Sequence, residues 1–427
     1  MPEERPSSGH WSPLAARSPR WVFTLLSVSA VVVGLVAVIR GTSAFVVPGD
    51  SDLHNYFFKS ADQILQGHPG SIYAARGDAP LQYIPNDDPP LVDFVIAPVL
   101  AVARVLSSDY RVQVALVCLP FLLAVPLLGA ITMRALRAVA PHAGEAQRQV
   151  VLALIYLSPL VWLAYSPWGH LEIPLMLCAL LGTMLALRSG RDTLAGLLAA
   201  LTLLTSLTAL FPLLAVFALL LACGEMRRAA RVLVIAGVAF LVAMSPFLLL
   251  DRQDTVYSLI TWRPKRAIGG NSIWAVVNVD RPAAIAFLLR RLDAPVMVLF
   301  AIATGWTAGR RFGVRPDSVD AWAVLAVGAL ALPMFVKANW PYYYTAPFVL
   351  LVLWESARSA RGGQALSIPV ISVIFLAATS TLAQYVGMPS IAFGDRVITG
   401  LAEFSAMAAT AYAVAHLAAT RPAVGAD

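Results

Sequence analysis

The feature that most constrains this chain is the recurrence of apolar blocks, each close to the length of a membrane-crossing helix, separated by short loops that hold most of the arginines. Crossing hydrocarbon takes roughly 20 residues of helix. Blocks of that kind occupy 21–39, 112–133, 171–187, 321–336, 366–387 and 397–417, with others between. Hydrophobic residues make up 59% of the 427 positions and charged residues only 13%. One water-soluble core could not hide so much apolar surface. Membrane barrel strands would alternate apolar and polar positions, and these blocks do not. The expected fold is therefore all-α: a polytopic membrane protein with about twelve transmembrane helices.

Arginine placement sets the expected topology, because basic residues collect on the cytoplasmic side. Arg5, Arg17 and Arg20 precede block 21–39, which lacks a small-residue cleavage site and is read as a retained first span. That leaves 1–20 as a cytoplasmic tail and sends 40–111 to the outer face. The chain returns through 112–133 to a basic loop with Arg134, Arg137 and Arg148, then crosses at 150–165 and 171–187 to Arg188 and Arg191. Segment 193–222 contains Pro212 and no charge. With Arg191 and Arg227 both inside, it divides into two short spans meeting near Leu210, one long tilted helix being the alternative. After Arg227, Arg228 and Arg231, a span to Leu250 delivers a second outer loop, 251–293. Spans at 294–308, 321–336, 346–355, 366–387 and 397–417 complete the count. Segment 91–106 would invert the charge topology if it crossed. Bearing Asp93 and Arg104 after Pro89-Pro90, it reads as a helix half-inserted at the interface.

The organisation that follows is a 1–20 tail, a 21–250 module carrying loop 40–111, the 251–293 loop, a C-terminal set of helices over 294–418 and a short 419–427 tail, in a multi-pass plasma-membrane protein. The net charge of +7 is spread over loops, which speaks for topology and against a nucleic-acid partner. Cys118, Cys178 and Cys223 lie within or at the end of apolar blocks without metal or redox spacing and read as small hydrophobic residues.

Polar chemistry concentrates in the first outer loop, which holds Asp50, Asp52, Asp62, Asp78, Asp87 and Asp88 against Lys59, Arg76 and Arg104. Long loops of this kind usually carry function. In 53–66, Tyr56, Phe57, Ser60, Ile64 and Leu65 recur near helical spacing and Gly67 ends the run, as expected of an amphipathic helix lying on the membrane. Ser51 or Asp52 would cap it. Asp50, Asp52 and His54 are equally a polar cluster able to serve as base, sugar-hydroxyl ligand or metal ligand.

The run Gly49-Asp50-Ser51-Asp52-Leu53-His54-Asn55-Tyr56, followed by Leu65-Gln66-Gly67-His68, Ile72-Tyr73, Tyr83-Ile84-Pro85 and Pro89-Pro90-Leu91, resembles the first outer loop of GT-C glycosyltransferases. It is most similar to the actinobacterial polyprenyl-phosphomannose-dependent mannosyltransferases, whose loop opens on Asp-Leu-His-x-Tyr and closes on Tyr-Pro-Pro. The resemblance covers 49–91. It departs where Asn86, Asp87 and Asp88 separate Tyr83 and Pro85 from the proline pair. It implies a GT-C-like architecture with Asp52 as general base and Asp50 as second choice, a polyprenyl-phosphate sugar donor, a lipid-linked or cell-envelope glycan acceptor, and inversion at the anomeric carbon.

Such a transfer needs cations for the departing phosphate. Trp262, Arg263, Lys265, Arg266 and Asn271, with Gly269-Gly270 and Trp274, place three positive charges in an expected outer loop, where a headgroup-contacting role is the plain alternative. Lys337, Tyr342 and Tyr343 stand at the outer end of a later block, as phosphate and sugar or prenyl ligands or as an interfacial aromatic belt. His170 and Glu172 occupy another outer turn, as sugar ligands or as a structural pair; a carboxylate entering an apolar block needs a polar cavity. His54, Tyr56, Tyr83 and Asp88 complete the expected substrate-binding set. Arg and Lys suffice to neutralise a monophosphate, so no metal or other cofactor is expected. An arabinofuranosyl or aminoarabinose transferase is the alternative within the class. A lipid or sugar transporter or flippase is the alternative outside it, disfavoured by span interiors nearly free of charge.

Overall fold

The computed structural model describes residues 53–74, 86–141, 143–163, 169–262, 291–337, 339–362 and 393–419, together with a few positions around 28–32, 272–274 and 370–376. Among these the secondary structure is entirely helical, as expected. The first loop supplies a π-helical turn, Leu53–Phe58, running into α1 (Lys59–Leu65), and then α2 (Leu91–Leu106). Tyr56, Phe57 and Ser60 are buried in packing against α2, so protein covers the first part of the face expected to lie on lipid, while Leu65 at its end stays exposed. Gly67, at φ +81°, stops the helix in a conformation that side-chain-bearing residues avoid.

Helices α3 (Tyr110–Leu122) and α4 (Ala124–Val139) run on through Leu123 as one 30-residue stretch, long and apolar enough to cross a membrane. It outlasts the expected 112–133 block because Arg134 and Arg137 extend the last turns. Next, α5 (Glu145–Leu157) ends at an extended Ser158, the conformation imposed on a residue before proline, and Pro159–Leu163 forms the short α6. Helix α7 (Glu172–Arg188) is buried over most of its length.

Segment 193–222 does divide, slightly earlier than expected. Helix α8 (Asp192–Thr205) ends at an extended Ser206, a 3₁₀ turn covers Leu207–Ala209, and α9 (Leu210–Ala222) follows. Two causes act together. Thr202 and Thr205 fold their hydroxyls back onto the carbonyls of Leu198 and Leu201. Pro212 lacks an amide hydrogen and so belongs in a first turn.

Helix α10 (Met226–Leu250), of 25 residues, is the second helix long and apolar enough to cross. Leu233, Val234, Val238, Leu241, Val242 and Leu249 form its exposed side. An apolar face of that extent suits hydrocarbon and not water. After the five-residue α11 (Arg252–Val256) come α12 (Asp293–Phe312), α13 (Asp320–Phe335), α14 (Thr345–Gly362) and α15 (Phe393–Ala419). Helix α13, apolar all round, is buried on every side and packs against α9, α12, α14 and α15. Among the described residues two helices are both long and apolar enough to cross, while 192–205, 207–222 and 320–335 are shorter apolar helices. The expected spans 21–39 and 366–387 lie almost wholly outside the described residues.

Glycine sets the closest helix approach. Gly305 and Gly309 are four residues apart on α12 and face α9, where a Cβ at 305 would collide with the Ala215 carbonyl oxygen and one at 309 would sit 2.7 Å from the Ala222 Cβ. Ala215 is held on its other side by Gly328 of α13. Small residues four apart let backbones meet where lipid offers no hydrophobic drive. Replacing Gly305 by Leu is expected to destabilise the protein by at least ~1–3 kcal/mol through overpacking. Gly237 on α10 has open space about it, so Gly237→Leu should be neutral or stabilising. Thermal unfolding in detergent distinguishes them, and equal losses would contradict the α9–α12 contact.

Candidate functional site

The site begins at a glycine turn. Gly169 has φ +74°, and a Cβ there would fall 2.5 Å from the Cβ of Leu53. Only glycine fits the conformation and the space, so the turn before α7 is pressed against the start of the first-loop helix. His170 and Glu172 follow, with His170 Nδ1 2.7 Å from Glu172 Oε1. Glu172 lies in the first turn of α7, where the helix dipole favours negative charge. Tyr342, in the 3₁₀ turn Pro341–Tyr344, lies over the imidazole with ring centroids 3.9 Å apart. Tyr343 stands edge-on to Tyr342.

Asn86 closes the first loop onto α2. Its Nδ2 donates to Ser60 Oγ and to Asp93 Oδ2, both at 2.9 Å, and its Oδ1 accepts from the Asp88 amide at 3.0 Å. Ser60 Oγ in turn donates to the Ile72 carbonyl. The Tyr73 hydroxyl donates to the Asp88 carbonyl at 3.3 Å, and Ser258 donates to the Tyr73 carbonyl. Burial pushes the Tyr73 phenol well above its ordinary range, and the charges of Asp93 and Asp88 push the same way. The phenol therefore stays a hydrogen-bond donor.

These two pieces meet. One ligand atom each from Asp88, His170 and Glu172 lie within 4.8 Å of one another, and all three residues are buried, at 6%, 7% and 2% exposure. Glu172 Oε2 has no hydrogen-bond partner, nor has Asp93 Oδ1. The result is a desolvated group of carboxylates around one imidazole, roofed by an aromatic ring.

A second polar group gathers at the end of α13. Lys337 Nζ is 3.6 Å from Asp293 Oδ1 at the start of α12, and the lysine is 2% exposed. Ser272 Oγ donates to the Val336 carbonyl and Trp274 Nε1 to that of Phe335, which fastens this piece of the second loop beside Lys337. Beyond it, Asn339 Nδ2 and the Tyr344 hydroxyl both donate to Glu403 Oε2, at 2.9 and 3.0 Å.

Of the residues singled out in the sequence, Asp88, His170, Glu172 and Tyr342 come together, with Tyr343 adjoining. His54 packs edge-on to the rings of Tyr110 and Phe58, and Tyr56 is part of the hydrophobic core. Trp262 lies against Tyr257. Lys337 is buried beside Asp293, so its charge is already matched within the protein. Asp50, Asp52, Tyr83, Arg263, Lys265, Arg266 and Asn271 lie outside the described residues. Asn86, Asp93, Asp293, Asn339, Tyr344 and Glu403 were not singled out as site residues. Glu403 was legible in principle, since a carboxylate inside the apolar block 397–417 needs a polar partner.

Comparison with known proteins finds no matching family model and no matching curated protein.

The Asn86 network makes a quantitative expectation. Asn86→Ala leaves Ser60 and Asp93 short of a buried donor and should cost ~1–3 kcal/mol. Removing the exposed Asp62–Arg104 ion pair by Asp62→Asn should cost under ~1 kcal/mol. Thermal unfolding checks the ratio, and a small effect of Asn86→Ala would mean that the network does not hold the loop.

Proposed function

We propose that this protein is an inverting glycosyltransferase of GT-C type, which moves a sugar, in the first instance mannose, from a polyprenyl-phosphate donor to a lipid-linked or cell-envelope glycan acceptor. In this reading the chain crosses the plasma membrane about twelve times and works at the outer face. The observation that carries it is the junction just described: two parts of the loop that resembles these enzymes, 53–74 and 86–91, converge with the His170–Glu172 turn and Tyr342 on one buried acid–imidazole–aromatic cluster. A sugar tethered to a polyprenyl tail stays at the membrane, so its enzyme must present acid–base groups where helices end.

Asp52 takes the proton from the acceptor hydroxyl. That oxygen then attacks the anomeric carbon on the face opposite the phosphate, the bond from that carbon to the phosphate oxygen breaks, and polyprenyl phosphate leaves with the electron pair. Asp50 is the alternative base. Arg263, Lys265, Arg266 and Asn271, together with Trp262 and Lys337, are assigned to the developing phosphate charge. Asp293 holds Lys337 in place, so a phosphate would be read by the lysine's remaining hydrogens and not by an uncompensated charge. Tyr342 and Tyr343 supply faces against which a sugar ring packs, Tyr83 completes the pocket, and His54 and Tyr56, packed into the protein, support the loop from behind. The buried cluster of Asp88, His170 and Glu172 orients sugar hydroxyls.

The test is turnover by purified, membrane-reconstituted protein offered a panel of polyprenyl-phosphate sugars with lipid acceptors. Asp52→Asn is expected to lose about 10²–10⁴-fold in rate, the usual worth of a positioned base, with a smaller loss for Asp50→Asn. Full turnover in Asp52→Asn would remove it as the base. Transfer from an arabinofuranosyl or aminoarabinose donor alone would change the sugar. Inactivity with every donor, combined with substrate flux across liposomes, would replace transfer by transport.

A further inference from the structure

The geometry points to a divalent metal site built from Asp88, His170 and Glu172, taking a first-row transition ion such as Mn²⁺ or Zn²⁺. It runs against the expectation of metal independence drawn from the sequence. The site rests on the geometry of its three residues, and only its use in catalysis rests on the glycosyl-transfer reading.

Three observations carry it. The first is distance: three ligand atoms from three side chains fall within 4.8 Å of one another. Metal–ligand bonds of roughly 2.0–2.2 Å put neighbouring ligands about 3 Å apart and opposite ones about 4 Å apart. Side-chain rotation closes the difference. The second is an orphaned atom: Glu172 Oε2 is buried without a hydrogen-bond partner, although Oε1 of the same carboxylate is bound to His170. A buried carboxylate oxygen without a donor loses its hydration for nothing in return, unless a cation meets it. The third is charge: Asp88 and Glu172 bring two carboxylates to one imidazole, and Asp93 beside them has an oxygen in the same condition as Glu172 Oε2. Among the described residues neither Glu172 nor Asp93 pairs with lysine or arginine, and His170 supplies at most one positive charge. A divalent ion offsets two of the negative charges at once.

The donor set selects the ion. Calcium and magnesium take oxygen ligands, whereas an imidazole with carboxylates suits manganese, zinc and their neighbours. His170 Nδ1 and Glu172 Oε1 lie 2.7 Å apart, close to the spacing of neighbouring ligands, and the ring of Tyr342 packs over the imidazole.

The experiment uses the full chain in nanodiscs, stripped with chelator and titrated with Mn²⁺ while the free-ion EPR signal is followed, then with Zn²⁺ by calorimetry. One equivalent per chain is expected. Affinity should fall at least tenfold in Glu172→Gln and in His170→Ala, and stay unchanged in the remote Asp62→Asn. Should either site variant fail to fold, pulsed EPR of Mn²⁺ on the wild-type protein is expected to show ¹⁴N coupling from one imidazole. No stoichiometric binding, equal affinity in folded variants, or bound Mn²⁺ without nitrogen coupling would each overturn the site. Protein that binds the ion and transfers no sugar keeps the site and sinks the transferase reading. Protein that transfers sugar but binds no ion does the reverse.

Discussion

The cost of burying carboxylates where helices end governs the arrangement of this molecule's polar chemistry. Glu172, Asp88 and Asp93 are each desolvated, and each ion removed from water costs several kcal/mol unless something replaces the water. The fold answers with several devices. Glu172 and Asp93 sit in first turns, where unsatisfied amides and the helix dipole favour negative charge. His170 contacts Glu172, and Asn86 gives one hydrogen to Asp93 and the other to Ser60. What these devices leave over, one oxygen each on Glu172 and Asp93, is where binding energy for a cation or a polyol remains available.

The scaffold that holds the cluster is rigid for a different reason. Between α9, α12 and α13 the helices come close because Gly305 faces backbone, and Gly309 and Gly328 face the small side chains of Ala222 and Ala215. Close packing of this sort deforms little. Its polar end therefore carries Asp293, Lys337 and the Tyr342 turn in a fixed relation. The opposite requirement holds along α10, whose exposed leucines and valines need solvent of their own kind.

Much of this could be read from residues alone. The helical class followed from the apolar blocks. The division of 193–222 followed from Pro212 and the charges flanking the segment, and its position four residues early reflects threonine hydroxyls that periodicity ignores. His170, Glu172, Asp88 and Tyr342 were each visible as polar or aromatic residues near block ends, but their meeting was not, because 82 residues separate 88 from 170 and 172 more separate 170 from 342. Asn86 is the instructive case. It belongs to the three residues at which the loop departs from the pattern it resembles, and that departure is the hub tying the loop to α2. The helix at 53–65 was legible while its environment was not, since an apolar face looks alike whether lipid or α2 covers it.

The central claim is that a lipid-borne sugar phosphate is received at the polar end of the bundle, between the cluster around Glu172 and the end of α13. The most direct measurement is photocrosslinking with a polyprenyl-phosphate sugar carrying a diazirine on its first isoprene, followed by mass spectrometry of the labelled peptides. Saturable label, competed by unmodified donor and concentrated in 169–176, 257–274 and 337–344, is the predicted result. Label confined to the exposed face of α10, or undiminished by excess donor, would contradict the account.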